Sequence, residues 1–124
     1  MMNVRGYAEL IFSSMNSRDL SSLEAHLAEN AVFDFPGTAL VEGRRRIAVF
    51  LRMLFRKYPK LSFTIDDIIV DGTDAVAVWH NEGVHADGSP YANRGVTLIR
   101  TDGSAITFIS DYFKDTSFIR HQHV

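Results

Sequence analysis

The hydrophobic period of this chain changes once, near Pro59, and that change limits what the chain can fold into. Before it, apolar residues recur every three or four positions. Val4, Tyr7, Ala8, Ile11 and Met15 fall on one helical stripe. Asp19 is placed to cap a second helix carrying Leu20, Leu23 and Leu27. "AVFDFPG" reads as a short strand, Ala31 to Phe35, stopped by Pro36-Gly37. Ile47, Phe50, Leu51, Leu54, Phe55 and Tyr58 then form the stripe of a third, amphipathic helix. After Pro59 the segments 61–72, 74–88, 90–103 and 104–115 read as strands, separated by Asp-Gly and Gly-Thr-Asp turn signals. Long strands with short turns predict an antiparallel meander. Helices that come first must cover one face of it, giving an α+β fold.

At 124 residues the chain has the length of a single domain, residues 1–124. It has no cysteine, so disulfides and thiolate metal sites are excluded. A net charge of −2 offers no electrostatic footprint for nucleic acid. "MMNVRGYAEL" lacks an apolar core of signal-peptide length, and no apolar run is long enough to span a membrane. The expected location is the cytoplasm. His121 and His123 in "RHQHV" and His85 beside a turn do not form a metal-ligand spacing, so neither a metal nor a cofactor is expected. The basic residues of the third helix, Arg44 to Lys57, read as a solvated face.

Turn chemistry suggests which side chains share a face. A two-residue loop at Asp87-Gly88 sets Glu82 opposite Asn93 and His80 opposite Gly95. The turn "RTDGS" allows a two-residue loop at Asp102-Gly103, with Asn93 opposite Tyr112, or a three-residue loop at Thr101-Asp102-Gly103, with Asn93 opposite Asp111; the second is preferred because it gathers the polar residues on one face. His80, Glu82, Asn93 and Asp111 then converge on one face, among Val76, Val78, Val84, Gly95, Thr97, Ile99, Ile109 and Phe113. A greasy wall with a few converging polar groups is the usual lining of a small-molecule pocket. The central feature is "ISDYFKD": Asp111 lies between Ile109 and Phe113, on what alternation makes a buried face. A buried carboxylate is costly unless it is paired.

The order helix–helix–strand–helix–four strands, the "EGRRRI" before the third helix, the Trp79 strand and the ending "GSAITFISDYFKD" resemble the SnoaL-like members of the nuclear transport factor 2-like superfamily over nearly the whole chain. The resemblance implies a cone-shaped, curved antiparallel sheet covered by three N-terminal helices. It also implies a homodimer packed through the other sheet face, where Trp79, Val96, Leu98, Phe108 and Tyr112 are expected. Aligned without gaps on Asp111-Tyr112-Phe113, the base of the related limonene epoxide hydrolases falls on Asp111, their acid aspartate on His80 and their arginine on Val78. Aligned on "EGR", their Tyr and Asn fall on Phe33 and Phe35. Ketosteroid isomerases place their base at Phe35 and their neutral-acid aspartate near Gly95. Neither constellation is retained. SnoaL-type cyclases resemble the chain better, since they rely on an Asp at the position of Asp111 with a His nearby.

The expected function is cofactor-free general acid/base chemistry of cyclase, isomerase or hydrolase type on a small apolar molecule. Asp111 would be the base, His80 its partner, and Asn93 would fix a substrate oxygen. Glu82, Tyr7, Tyr91, Phe113 and Phe35 complete the expected substrate-binding set. The alternative is a non-catalytic domain of the same fold that binds a hydrophobic ligand or a protein, with His80 and Asp111 as a structural ion pair.

Overall fold

A computed structural model describes residues 2–117. Helix α1 (Val4–Ser17) is capped by Asn3, whose side chain accepts from the Gly6 amide, and it ends where Arg18 turns left-handed at φ 67°. Helix α2 (Leu20–His26) starts on Asp19, which accepts from the Ser22 amide. Strand β1 (Leu27–Asp34) follows without a loop. Leu27, expected on the second helix, is already extended. It is buried in either setting, so helical spacing alone could not separate the last helical residue from the first of the strand. A two-residue strand β2 (Val41–Glu42), too short to leave a periodic signal, precedes helix α3 (Arg44–Lys57). The long strands β3 (Ser62–Asp71), β4 (Asp74–Val84), β5 (Pro90–Thr101) and β6 (Ile106–Phe113) complete the fold.

The six strands form one curved, unclosed sheet in the order β2-β1-β6-β5-β4-β3. The last four strands are the antiparallel meander that the sequence predicts. The sheet as a whole is mixed, because β1 lies parallel to β6. Three helices cover its concave face, giving the α+β cone. The core fills the space between them: Tyr7, Ala8, Ile11, Phe12 and Met15 from α1, Ile47, Leu51 and Phe55 from α3, and Ala77, Trp79, Ile99 and Ile109 from the sheet. Arg18 fastens the helical layer to the α3–β3 connection. Its guanidinium donates to the carbonyls of Pro59 (2.9 Å) and Leu61 (2.6 Å) and lies 4.1 Å over the Phe55 ring.

Two registers differ from expectation, with unequal consequences. Ala86 joins the loop between β4 and β5. His85 and Ser89 close it, the His85 amide donating to Ser89 O at 2.8 Å, and Gly88 takes the left-handed conformation at φ 87°. Asn81 therefore opposes Asn93, Trp79 opposes Gly95 and His80 opposes Arg94. A slip of one residue turns every β4 side chain to the opposite face. Ala75, Ala77, Trp79 and Asn81 point into the core, whereas His80 and Glu82 are exposed on the convex side. Between β5 and β6, Asp111 opposes Thr97 instead of Asn93. That shift spans four residues, an even number, so Asp111, Thr97, Asn93 and Phe113 keep the inward face that alternation gives them. Gly95 is needed where it stands: a Cβ there would lie 2.1 Å from the Tyr112 carbonyl oxygen.

No helix among the described residues is long and apolar enough to cross a membrane. His121 and His123 lie outside the described residues.

Candidate active site

Asp111 reaches the concave face from the middle of β6, and the strand pairing places two residues beside it. Thr97 is its direct cross-strand partner, and Trp79 comes from the next strand. The Trp79 Nε1–H donates to Thr97 Oγ1 at 2.8 Å, and the Thr97 hydroxyl donates to Asp111 Oδ1 at 2.6 Å. With the carboxyl ionised, the direction of this chain is fixed. An indole N–H can only donate, so Thr97 must accept from it and spend its single proton on Asp111. Oδ1 is thereby held as an acceptor, and a proton bound by the carboxyl goes to Oδ2. Among the described residues Oδ2 has no hydrogen-bond partner.

The surroundings are apolar. Phe12, Met15, Phe33, Phe35, Leu51, Leu54, Phe63 and Phe113 line a hollow above the carboxyl, with Trp79, Thr97, Asn81, Tyr58 and Tyr91. Its rings meet edge to face, Phe35 with Phe113 at 5.5 Å and Trp79 with Phe113 at 5.2 Å, the arrangement favoured by ring quadrupoles. The free space is about 40 Å³, room for roughly two or three waters. At one end Tyr58 stacks on Tyr91 at 6.0 Å, and Tyr58 also borders an open groove lined by Lys57, His85, Asp87 and Ser89. Burial in this wall pushes the Asp111 carboxyl up from 3.8 to about 7; the Thr97 hydrogen bond opposes the rise and the negative charge of Asp34 adds to it. Burial likewise pushes the Tyr91 hydroxyl up.

The expected site residues divide clearly on this geometry. Asp111, Phe35, Phe113 and Tyr91 line the hollow. His80 does not: the slipped β4 register sends it to the convex face, where its Nδ1 meets the Asp66 carboxylate at 2.9 Å. Glu82 is exposed on the same side. The pairing of His80 with Asp111 is therefore corrected, and Val78 faces outward with His80. Asn93 is buried, but both ends of its amide are occupied. Nδ2 donates to Asp115 O (2.8 Å) and Tyr91 Oη (3.2 Å), while Oδ1 accepts from the amides of Arg94 and Asp115. It clips the segment after β6 to β5 and steadies Tyr91. The Tyr7 hydroxyl donates to Ser104 O at 2.8 Å, tying α1 to the β5–β6 turn, and does not line the hollow. Trp79, expected on the opposite face, is 1% exposed and central to the site.

The residues that sequence reasoning misses are the two that hold Asp111, Thr97 and Trp79, together with Asn81 and Tyr58. Thr97 is visible only as part of the wall. Trp79 and Asn81 share the odd-numbered face of β4, and only the loop length decides which face is inside.

The SnoaL-like domain family matches residues 7–109. This chain belongs to that family. Solved structures of the same architecture agree with this assignment of SnoaL-like fold. An NTF2-like protein of unknown function from Burkholderia pseudomallei superposes with a TM-score of 0.86 at 19% identity, covering 97% of each chain. A proposed SnoaL-like polyketide cyclase from Jannaschia gives 0.82 at 16% identity, over 90% of this chain and 85% of that one. IdmH, a proposed polyketide cyclase from Streptomyces antibioticus, gives 0.82 at 16% identity, over 99% and 100%. At such identities the likeness concerns the fold. No curated protein matches this SnoaL-like chain by sequence.

Proposed function

We propose that this SnoaL-like protein is a cofactor-free acid/base enzyme in which Asp111 moves a proton on a small, largely apolar substrate. One observation carries the reading: a carboxyl with a pKa of about 7 projects into an apolar hollow, with one oxygen fixed and the other without a partner among the described residues. A group with a pKa near neutral is populated in both forms, which suits general acid/base work. Oδ2 accepts a proton from a carbon acid or a water in the hollow, and the resulting carboxylic acid returns it at another atom. Abstraction beside a carbonyl followed by return elsewhere is an isomerisation; attack of the carbanion on a second carbonyl is a cyclisation. The polyketide-cyclase descriptions of two structural relatives agree in kind. The substrate enters by displacing side chains, since the closed hollow is smaller than a ring. The wall includes Met15, whose unbranched side chain adapts readily, and the partly exposed Leu54 and Tyr58.

The test is hydrogen–deuterium exchange at the α-carbon of single-ring ketones such as cyclohexanone, followed by NMR in D₂O. The wild-type protein should accelerate exchange and Asp111→Asn should not. Equal rates in the two proteins would remove Asp111 from the chemistry. The small closed volume favours a second reading, a non-catalytic binding domain, in which Asp111→Asn changes ligand affinity and no rate.

For the convex face we propose a homodimer contact. Val78, Val96, Leu98, Phe108 and Tyr112 point to that side, and Tyr112 is 57% exposed. Light scattering after size exclusion should give twice the chain mass, falling to the monomer in Tyr112→Lys.

A further inference from the structure

Asn81 is the one buried polar side chain in the hollow that no hydrogen bond within the described residues explains. It is 4% exposed, and its Oδ1 has neither a protein donor nor contact with solvent. Buried amide oxygens are almost always satisfied, so an orphan in the wall of an apolar hollow needs a cause. Its neighbours do not supply one. Asn93, directly across on β5, spends its own amide on Asp115, Tyr91 and Arg94. The Trp79 indole, two residues away, is committed to Thr97.

We infer that Asn81 recognises a hydrogen-bond donor on the substrate, a hydroxyl or N–H group remote from the reacting carbon. This deepens the acid/base reading and rests on it, since the ligand is a substrate only if Asp111 turns it over. The separation follows from the sheet. Asn81 opposes Asn93 and Asp111 opposes Thr97, so the two lie four residues apart along β5 and two strands apart across it. That is roughly 13 Å along the strands and roughly 10 Å across. No single functional group touches both. A ligand therefore lays its apolar body over Trp79 and Phe113, with its reacting end at Asp111 and its donor at Asn81. A hydrocarbon or a methyl ether of the same shape fills the hollow and leaves the Asn81 oxygen as it was. The residue thus discriminates hydroxylated from unhydroxylated ring compounds, because a buried polar group rejects a partner that leaves it unpaired.

The matched probes are phenol and anisole, titrated against the ¹⁵N-labelled full chain. Phenol should bind about tenfold more tightly than anisole and shift the Asn81 side-chain amide signals. The preference should vanish in Asn81→Leu and survive in Asp111→Asn. Equal affinities in the wild type, a preference that persists in Asn81→Leu, a preference lost only in Asp111→Asn, or binding of neither probe would each overturn the inference. If Asn81→Leu fails to fold, the wild-type amide shifts decide: phenol must move the Asn81 signals and anisole must not. Ketone exchange rates play no part here, so failure of the Asp111 mechanism and failure of the Asn81 assignment are separately visible.

Discussion

Replacing Asp111 by asparagine should remove a pH dependence of stability whose size can be worked out beforehand. The folded carboxyl titrates near 7, against 3.8 for the ordinary group. The folded state therefore holds a proton that the unfolded chain has released throughout the interval between those values. Stability falls wherever the folded state binds more protons, so this group's contribution is complete below about pH 3.8 and is lost as pH rises through 7. Integrating between pH 5 and pH 8 gives a loss of about 2.6 kcal/mol, and the full penalty above pH 8 approaches about 4 kcal/mol. The carboxamide of the Asp111→Asn variant cannot ionise, and its oxygen can still accept from Thr97. Urea denaturation of both proteins at pH 5 and pH 8 isolates the term, because all other titrations cancel in the double difference. The variant should gain on the wild type by about 2 to 3 kcal/mol between the two pH values, with unchanged m-values. A double difference below about 0.5 kcal/mol would mean that Asp111 titrates as an ordinary carboxyl, and the chemistry assigned to it would lose its basis.

Three further substitutions test the geometry around it. Thr97→Val removes the hydrogen bond that opposes the rise, so the Asp111 carboxyl resonance should titrate higher than in the wild type; it also strands the buried Trp79 N–H, lowering stability by about 1–3 kcal/mol. A carboxyl ¹³C titration and a denaturation curve check the two effects. Gly95→Ala drives a methyl against the Tyr112 carbonyl and the Trp79 ring, and should destabilise by more than about 2 kcal/mol, measurable as a fall in the thermal midpoint. His80→Ala breaks only an exposed pair with Asp66, so it should change stability by less than about 1 kcal/mol and leave ketone exchange untouched; a large loss of exchange rate would restore His80 to the site.

How much of this is legible in the sequence depends on parity. Asp111 can be placed inward because Ile109 and Phe113 flank it at a spacing of two, and an even error in the β5–β6 register leaves the faces alone. The expected β4–β5 register is off by one, and that single residue exchanges His80 and Glu82 for Trp79 and Asn81. The turn "HADGS" allows either a two- or a three-residue loop, since both place Gly88 at a left-handed position. A clue is present in the charges. Inward-facing His80 and Glu82 would bury two ionisable groups opposite Gly95 and Asn93, neither of which can neutralise them. In the observed register His80 meets Asp66, and Asp74 meets Arg100 on the exposed side. The parallel pairing of β1 with β6 joins segments more than seventy residues apart, as in Asp34 with Ser110, and no local pattern announces it.

The same energetics bear on why an aspartate stands at this position at all. At pH 8 the ionised carboxyl costs the fold about 4 kcal/mol, a large part of the roughly 5–15 kcal/mol typical of a domain. An amide at the same place would keep the Thr97 hydrogen bond and avoid the charge. The indole–hydroxyl relay does not reduce the cost to nothing; it fixes one oxygen and leaves the other facing the hollow. A position that served packing alone would gain from the amide or from an aliphatic side chain. Under the proposed acid/base role, an ionisable group held by Thr97 and backed by Trp79 stands here to take and give a proton, and the stability lost as pH rises toward 7 is the measurable trace of that role.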